Sequence, residues 1–128
     1  MKNMLEKIKK ARFIFICGNG GSASTAEHFT TDLIKKGYPA ICLNSNNSVM
    51  TMIANDYGYQ YVFSRQLETY ANKKDLLIVF SVSGTSPNIV KALKVGIPSI
   101  EVFGFEGESY QDAEDRHLRM AHRISQKL

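Results

Sequence analysis

Cysteine is scarce in this chain, and long apolar runs are missing. The two cysteines, Cys17 and Cys42, lie in separate short apolar stretches without the CxxC spacing of metal or redox motifs. We therefore expect two buried free thiols in a reducing cytoplasm rather than a disulfide framework. The apolar run that ends at Cys17 is too short for the core of a signal peptide, and a membrane-spanning helix needs roughly 18 apolar residues. The sequence thus predicts a cytoplasmic protein with no membrane partner.

The chain has 128 residues, 44% of them hydrophobic, which predicts one domain over residues 1–128 with a buried core. Basic residues exceed acidic ones by four, and several lie near the start: Lys2, Lys7, Lys9, Lys10 and Arg12. A basic patch can bind nucleic acid, but apolar residues at helical spacing between these lysines favour a solvated helix face. The net positive charge favours an anionic substrate.

Apolar strands alternate with helical stretches along the chain. The pattern predicts strands over residues 12–17, 38–43, 76–81 and 97–104. Helices are predicted over residues 3–11, 22–36, 48–54, 60–72, 87–94 and 112–127. The first strand is apolar from Phe13 to Cys17, which is typical of a strand buried on both faces. The alternation predicts a doubly wound α/β fold, in which a mainly parallel sheet lies between two layers of helices.

Two turns rich in glycine, serine and other small residues each follow an apolar strand. One covers residues 18–23, after the first strand, and the other covers residues 81–86, after the third. Backbone N–H groups and hydroxyls in such turns surround anions at helix N-termini, and open α/β sheets bind ligands at this edge. Two such turns in one small domain predict a phosphorylated ligand.

Other interpretations of these turns have less support. Gly18, Gly20 and Ala23 fit the dinucleotide fingerprint G-x-G-x-x-G/A, but the second strand ends in Leu43 and Asn44, without the acid that would hold the ribose. A Walker motif is excluded because no lysine follows the glycines. Both turns could be plain connectors, with Ser86 only capping the next helix. Two of them at successive strand ends favour a ligand site.

Several motifs together resemble the sugar isomerase (SIS) domain and, within it, the phosphoheptose isomerase family. They are CGNGGSAxxAxHF (17–29), ANDYGY (54–59), FSRQLE (63–68), SVSGTSPNIVKAL (81–93) and EDRHLxxxHxI (114–124). The family is a tetramer of doubly wound domains. It converts sedoheptulose 7-phosphate to D-glycero-D-manno-heptose 7-phosphate for bacterial surface polysaccharides. The resemblance therefore implies a phosphosugar isomerase that forms a homo-oligomer, a tetramer or a dimer.

The resemblance also implies roles for individual residues. The implied substrate- and phosphate-binding residues are Asn19, Gly20, Gly21, Ser22, Asn55, Asp56, Ser81, Val82, Ser83, Ser86 and Glu114. The implied ligands of a zinc ion are His28, Asp32, Glu114 and His122. Asp32 is implied as the catalytic base and His122 as its acid/base partner. Asp32 stands where the family has a glutamate, and Glu114 stands where it has a glutamine.

The chemistry of these residues suits an aldose–ketose isomerase, which needs a base, an acid and stabilisation of an oxyanion. His28 and Asp32 are four residues apart and share one helix face, so with two further ligands they could hold Zn²⁺ as a Lewis acid. One alternative is a non-catalytic phosphosugar-binding or regulatory SIS protein. Another is an isomerase of a different sugar phosphate.

Overall fold

The computed structural model describes all residues, 1–128, and is built on one parallel sheet of four strands in the order β2-β1-β3-β4. The strands are β1 (Ile14–Gly18), β2 (Ala40–Cys42), β3 (Leu76–Ser81) and β4 (Ser99–Phe103). Every residue of β1 and β3 is buried, because each of these strands has a neighbour on both sides and helices on both faces. The predicted parallel α/β sheet is confirmed.

Six α-helices cover the two faces of the sheet. They are α1 (Lys2–Lys10), α2 (Gly21–Lys35), α3 (Asn47–Asp56), α4 (Ser64–Tyr70), α5 (Pro87–Lys94) and α6 (Tyr110–Lys127). Helices α1, α2 and α6 pack on one face, through residues such as Ile8, Phe29 and Ile124. Helices α3, α4 and α5 pack on the other, through residues such as Ile53 and Ile89. Alternate residues of each central strand point to the two cores, as the period of a strand requires.

Two predicted elements differ from the structure. The helix predicted over 60–72 is a 3-10 turn, Tyr59–Tyr61, which begins after Gly58 at φ +118°, followed by the separate helix α4, which begins after the N-cap Phe63. The strand predicted over 38–43 pairs only over Ala40–Cys42, since Pro39 has no N–H to donate to a neighbouring strand. Strand β3 and helix α5 have the predicted bounds.

The two thiols are free and buried, as predicted. Cys17 and Cys42 belong to the cores on opposite faces of the sheet. Burial raises the pKa of both thiols, so both are held as neutral apolar side chains. No helix has the length together with the apolar character needed to cross a bilayer.

A polar latch holds α6 against the end of β4. Arg116 forms a two-point ion pair with Glu108, at 2.9 Å for each contact, and also donates to the carbonyl of Phe103. That ion pair is the main cause that lowers the pKa of Glu108, to about 2. His117 is buried beside them, and its Nε2 lies 3.0 Å from the same carbonyl, so this nitrogen carries the proton and donates. This latch positions the helix that carries Glu114 and His122.

Candidate active site

The first turn brings the backbone of β1 close to its helix. Gly20, the N-cap of α2, has φ +56° and ψ −123°, a conformation that favours glycine. The side chain of Asn44, which follows β2, donates to the carbonyl of Gly18 at 2.8 Å and accepts from its N–H at 3.2 Å. The ends of β1 and β2 are therefore joined by one asparagine, which sequence reasoning did not single out.

Three serine hydroxyls of the second turn donate no hydrogen bond within the protein. Ser81 Oγ accepts from the N–H of Gly84 at 3.0 Å, and Ser83 Oγ accepts from the N–H of Thr85 at 3.2 Å. Each of these contacts uses an oxygen lone pair and leaves the hydroxyl proton free to donate. Ser86 is the N-cap of α5, as predicted, but its side chain makes no capping hydrogen bond. All three hydroxyls can therefore donate to a ligand.

A pair of amide side chains joins the two turns. Asn19 Nδ2 donates to Asn88 Oδ1 at 2.9 Å, and Asn88 Nδ2 donates to Asn19 Oδ1 at 2.8 Å. Asn88 is buried in the first turn of α5, and Tyr59 adds a 3.4 Å contact from its hydroxyl to Asn19 Oδ1. The amide pair sets the spacing between the turn after β1 and the turn after β3.

The two turns line one pocket of about 80 Å³. Its lining residues are Asn19, Ser22, Ser81, Val82, Ser83, Ser86, Tyr110 and Glu114. The N-termini of three helices meet here, since Ser22, Ser86 and Tyr110 lie at the starts of α2, α5 and α6. Unpaired N–H groups and helix dipoles at these termini favour an anion. Tyr110 is an addition to the predicted residues; its signal in the sequence was Ser109, the N-cap of α6.

Glu114 brings a negative charge to this pocket. Its carboxylate lies against Gly21, where the Cβ of any other residue would overlap it. A side chain at position 21 would therefore displace the Glu114 carboxylate from its place beside the turn. Glu114 lies in the second turn of α6, whereas Asp112 is the acidic residue of the first turn.

Two turns further along the same helices, His28, Asp32 and His122 form a cluster. His28 Nε2 lies 3.0 Å from His122 Nε2 and 3.7 Å from Asp32 Oδ2. One ligand atom from each residue lies within 4.8 Å of the others. The side chain of His28 is 51% exposed, and that of Asp32 is 24% exposed. The cluster is therefore open to solvent on one side.

The cluster suits a metal ion. Asp32 Oδ2 is buried and has no hydrogen-bond partner, and two histidine nitrogens face each other beside it. Ligands of a tetrahedral zinc ion lie about 3.3 Å apart for metal–ligand bonds of about 2.05 Å. The observed spacings of 3.0 and 3.7 Å bracket that value. Two nitrogens and one oxygen are a donor set that zinc accepts, with a position left open.

The pocket and the cluster lie at two levels along the packed helices α2 and α6. Gly21 meets Glu114 at one end, and His28 meets His122 at the other, so the two helices run in the same direction. Gly21 and His28 are seven positions apart on α2, and Glu114 and His122 are eight positions apart on α6. The pocket and the cluster are therefore about 10–12 Å apart along the helices. Both groups therefore lie along the contact between α2 and α6.

Some predicted site residues lie elsewhere. Glu114 belongs to the pocket and is not among the three clustered ligands His28, Asp32 and His122. Asn55 and Asp56 end α3, are exposed and do not line the pocket; Asn55 Nδ2 donates to Asp56 Oδ1 at 3.0 Å. Glu114 is about 12 Å along α6 from His122, because eight helical residues rise that far. The spacing of eight residues in the sequence places the two on neighbouring faces but at different heights.

A parallel sheet with helices on both faces and a serine-rich anion pocket at its carboxyl edge define a SIS domain, and a family model described as the SIS domain matches residues 1–97. Curated relatives extend the match. A phosphoheptose isomerase from Helicobacter pylori (strain P12) is 41% identical over 125 residues, which are 90% of this chain and 65% of the relative. One from Aliarcobacter butzleri is 42% identical over 127 residues, 91% of this chain and 67% of the relative.

Solved structures agree with these relatives. A phosphoheptose isomerase from Neisseria gonorrhoeae superposes with a TM-score of 0.91 at 27% identity, covering 98% of this chain and 80% of that one. One from Francisella tularensis gives a TM-score of 0.86 at 26% identity, covering 98% of this chain and 79% of that one. The chain belongs to the phosphoheptose isomerase family of SIS-domain proteins. It spans about two thirds of the length of the curated relatives named above.

Proposed function

We propose that this protein is an aldose–ketose isomerase that interconverts sedoheptulose 7-phosphate and D-glycero-D-manno-heptose 7-phosphate. The observation that carries the proposal is the arrangement along the packed helices α2 and α6. An anion pocket built from two turns lies at one end of these helices, and a histidine–aspartate cluster lies two helical turns away. The phosphosugar substrate enters by analogy with the relatives, and the proposed binding mode is argued from the positions of the pocket and the cluster.

The phosphate group binds in the pocket. The hydroxyls of Ser81, Ser83 and Ser86 donate to its oxygens, because their protons are uncommitted within the protein. N–H groups at the starts of α2 and α5 add further donors. No lysine or arginine lines the pocket, so binding relies on hydroxyls, amides and helix dipoles.

The separation between the pocket and the cluster suits a seven-carbon substrate. An extended chain of seven carbons with its phosphate ester spans about 10 Å at C–C bond lengths near 1.5 Å. That span matches the separation of about 10–12 Å between the pocket and the cluster. With the phosphate in the pocket, C1 and C2 of an open-chain sugar lie beside His28, Asp32 and His122. A shorter sugar phosphate would not reach from the pocket to the cluster.

The proton transfers follow from the cluster. Asp32 removes the proton from C1 of the ketose, which leaves an enediolate between C1 and C2. A histidine nitrogen of the cluster, that of His122, donates a proton to O2 and later accepts one from O1. The carboxyl group of Asp32 then returns its proton to C2, which completes the aldose. The low exposure of the Asp32 carboxylate limits competition from water for this proton.

The residues that would hold a zinc ion are His28, Asp32 and His122, and the ion would polarise the C1 or C2 oxygen as a Lewis acid. Glu114 is proposed as a pocket residue that faces the phosphate. Asn55 and Asp56 remain proposed sugar contacts. Tyr59, which follows them closely in the chain, contacts the pocket residue Asn19 through its hydroxyl. A homo-oligomer is proposed as well, because the cluster is open on one side and a second copy would close it.

The test is a turnover assay with purified protein and sedoheptulose 7-phosphate, with and without added Zn²⁺. We expect the aldose to form with the native protein and the rate to fall by about a hundredfold or more in Asp32→Asn, since a positioned base contributes that much. The matched control is Asp115→Asn, which changes an exposed acid of α6. No product from the native protein, or equal rates for Asp32→Asn and the native protein, would refute the isomerase. Light scattering of the same sample measures the oligomer.

A second candidate function is a phosphosugar-binding regulator without catalysis. Asp32 favours it, because it stands where the family has a glutamate and its side chain is one methylene shorter, which shortens the reach of the proposed base. Thermal stabilisation by several sugar phosphates with no product formed would support this function over the isomerase.

A further inference from the structure

A second hollow lies at the opposite edge of the sheet. It has a volume of about 350 Å³ and is lined by residues that come before β1, β3 and β4, among them Arg12, Asp75 and Pro98. The pocket proposed above for the phosphate, which we call the phosphate pocket, lies at the carboxyl ends of β1 and β3. Six residues of β3 separate the two by about 20 Å at 3.3 Å per residue. We call this hollow the basic pocket.

The basic pocket holds five cations and one acid: Lys7, Lys10, Arg12, Lys73, Lys74 and Asp75. The acid is already satisfied, because Asp75 accepts from Arg12 at 2.7 Å and from the N–H groups of Phe13 and Asn72 at 3.0 and 2.8 Å. The four lysines form no ion pair. Four positive charges therefore face the hollow without a counter-ion from the protein.

The charge of the whole chain is concentrated here. The chain has 16 basic and 12 acidic side chains. Five of the basic side chains and one of the acidic ones line the basic pocket, so equal numbers of basic and acidic residues remain elsewhere. The lysines come from two walls, with Lys7 and Lys10 on α1, and Lys73 and Lys74 in the loop before β3. Lys7 Nζ also donates to the carbonyl of Ser99 at 3.2 Å, which holds its ammonium at the rim.

These features select the chemical class of the ligand. Four unpaired ammonium groups on two facing walls call for an anion with several linked charges. The volume is that of a small-molecule site. No aromatic residue lines the basic pocket, so the stacking surface of a single-stranded nucleic-acid site is missing.

We propose that the basic pocket binds a compact polyphosphate, such as free tripolyphosphate or the triphosphate group of a nucleotide. The bound anion bridges α1 and the loop before β3, which stabilises the folded chain. This site is independent of the proposed isomerase, because the two lie at opposite edges of the sheet.

The test is calorimetric titration of the full chain with tripolyphosphate, ATP, AMP and orthophosphate at physiological salt. We expect tripolyphosphate and ATP to bind, and AMP and orthophosphate to bind at least about tenfold more weakly, because they present fewer charges to the four lysines. Binding of ATP but not tripolyphosphate would assign the site to nucleotides. Binding of tripolyphosphate alone would assign it to free polyphosphate. Equal affinity for all four anions would overturn the proposal.

The decisive variant is Lys73→Ala/Lys74→Ala, because both side chains are exposed and outside regular structure. We expect it to weaken tripolyphosphate binding by about tenfold or more through the loss of two charges. The matched control, Lys35→Ala/Lys36→Ala, removes the same charge from the exposed end of α2 and should retain native affinity. Equal weakening in both variants, or none in the first, would overturn the proposal. So would loss of binding in Ser81→Ala/Ser83→Ala, which would move the anion to the phosphate pocket.

Discussion

Asn19 and Asn88 exchange two amide hydrogen bonds, of 2.9 and 2.8 Å, across a sequence separation of 69 residues. The pair joins the turn after β1 to the first turn of α5. Those two turns together form the phosphate pocket. The position of the hydrogen-bond donors in the first turn therefore depends on the position of those in the second.

Replacing Asn88 by alanine should therefore weaken both the fold and phosphosugar binding. Two hydrogen bonds are lost and the amide of Asn19 keeps only a long contact to Tyr59, so we expect a loss of about 1–3 kcal/mol in the free energy of unfolding. Affinity for the sugar phosphate should fall as well. Denaturant titration and calorimetry measure the two effects, with the exposed Asn47→Ala as the matched control. Native affinity in Asn88→Ala would show that the amide pair does not position the pocket.

Two serines at helix starts should respond in opposite ways. Ser109 caps α6 by accepting from the N–H of Asp112, so Ser109→Ala should cost about 1 kcal/mol of stability. Ser86 makes no capping bond, so Ser86→Ala should leave stability nearly unchanged and reduce affinity for a phosphorylated ligand. Thermal melts and ligand titrations of both variants give the comparison. A large stability loss in Ser86→Ala would contradict the free hydroxyl.

Removing the charge of Glu114 should strengthen binding. The carboxylate lies in the pocket that we propose for phosphate, so Glu114→Gln removes a repulsion and should raise affinity for a sugar phosphate by about fivefold. Glu101→Gln, on an exposed position of β4, is the control for net charge. Weaker binding by Glu114→Gln would mean that the carboxylate itself contacts the sugar hydroxyls.

The three histidines of the chain provide an internal control for metal binding. His28→Ala and His122→Ala should each abolish zinc binding measured by calorimetry, since each removes one of three clustered ligands. His117→Gln should retain it, because His117 is buried and bonded to Phe103 away from the cluster. Zinc bound equally by all three variants would place the ion elsewhere.

Stability should fall as the solution becomes acidic below about pH 6.5. Burial is the main cause that lowers the pKa of His117 below its ordinary 6.5, so the folded chain keeps this ring neutral while the unfolded chain protonates. The unfolded state then binds more protons, and the free energy of unfolding declines with decreasing pH until the folded-state pKa is passed. Denaturant titrations between pH 8 and 5 should show a shallower decline for His117→Gln. The same slope in both proteins would assign the decline to other groups.

The sequence alone was enough for the strands, most of the helices and the two turns. Unbroken apolar runs such as 76–81 determine buried parallel strands, and Pro87 after Ser86 determines the start of α5. Local signals of this kind depend only on neighbouring residues. The helix predicted over 60–72 was wrong over its first residues, because Tyr59–Tyr61 forms a separate 3-10 turn and α4 begins only at Ser64.

Only the tertiary structure decided which distant residues meet. Asn19 pairs with Asn88, Glu114 meets Gly21, and His28 meets His122. These contacts form because α2, α5 and α6 pack on one sheet, and local sequence patterns do not reveal the order of its strands. Helix spacing placed Glu114 and His122 on the same helix, but the rise of eight residues put Glu114 in the pocket and His122 in the cluster. The amino-acid sequence determined the elements and their chemistry, and packing determined which of their side chains share a site.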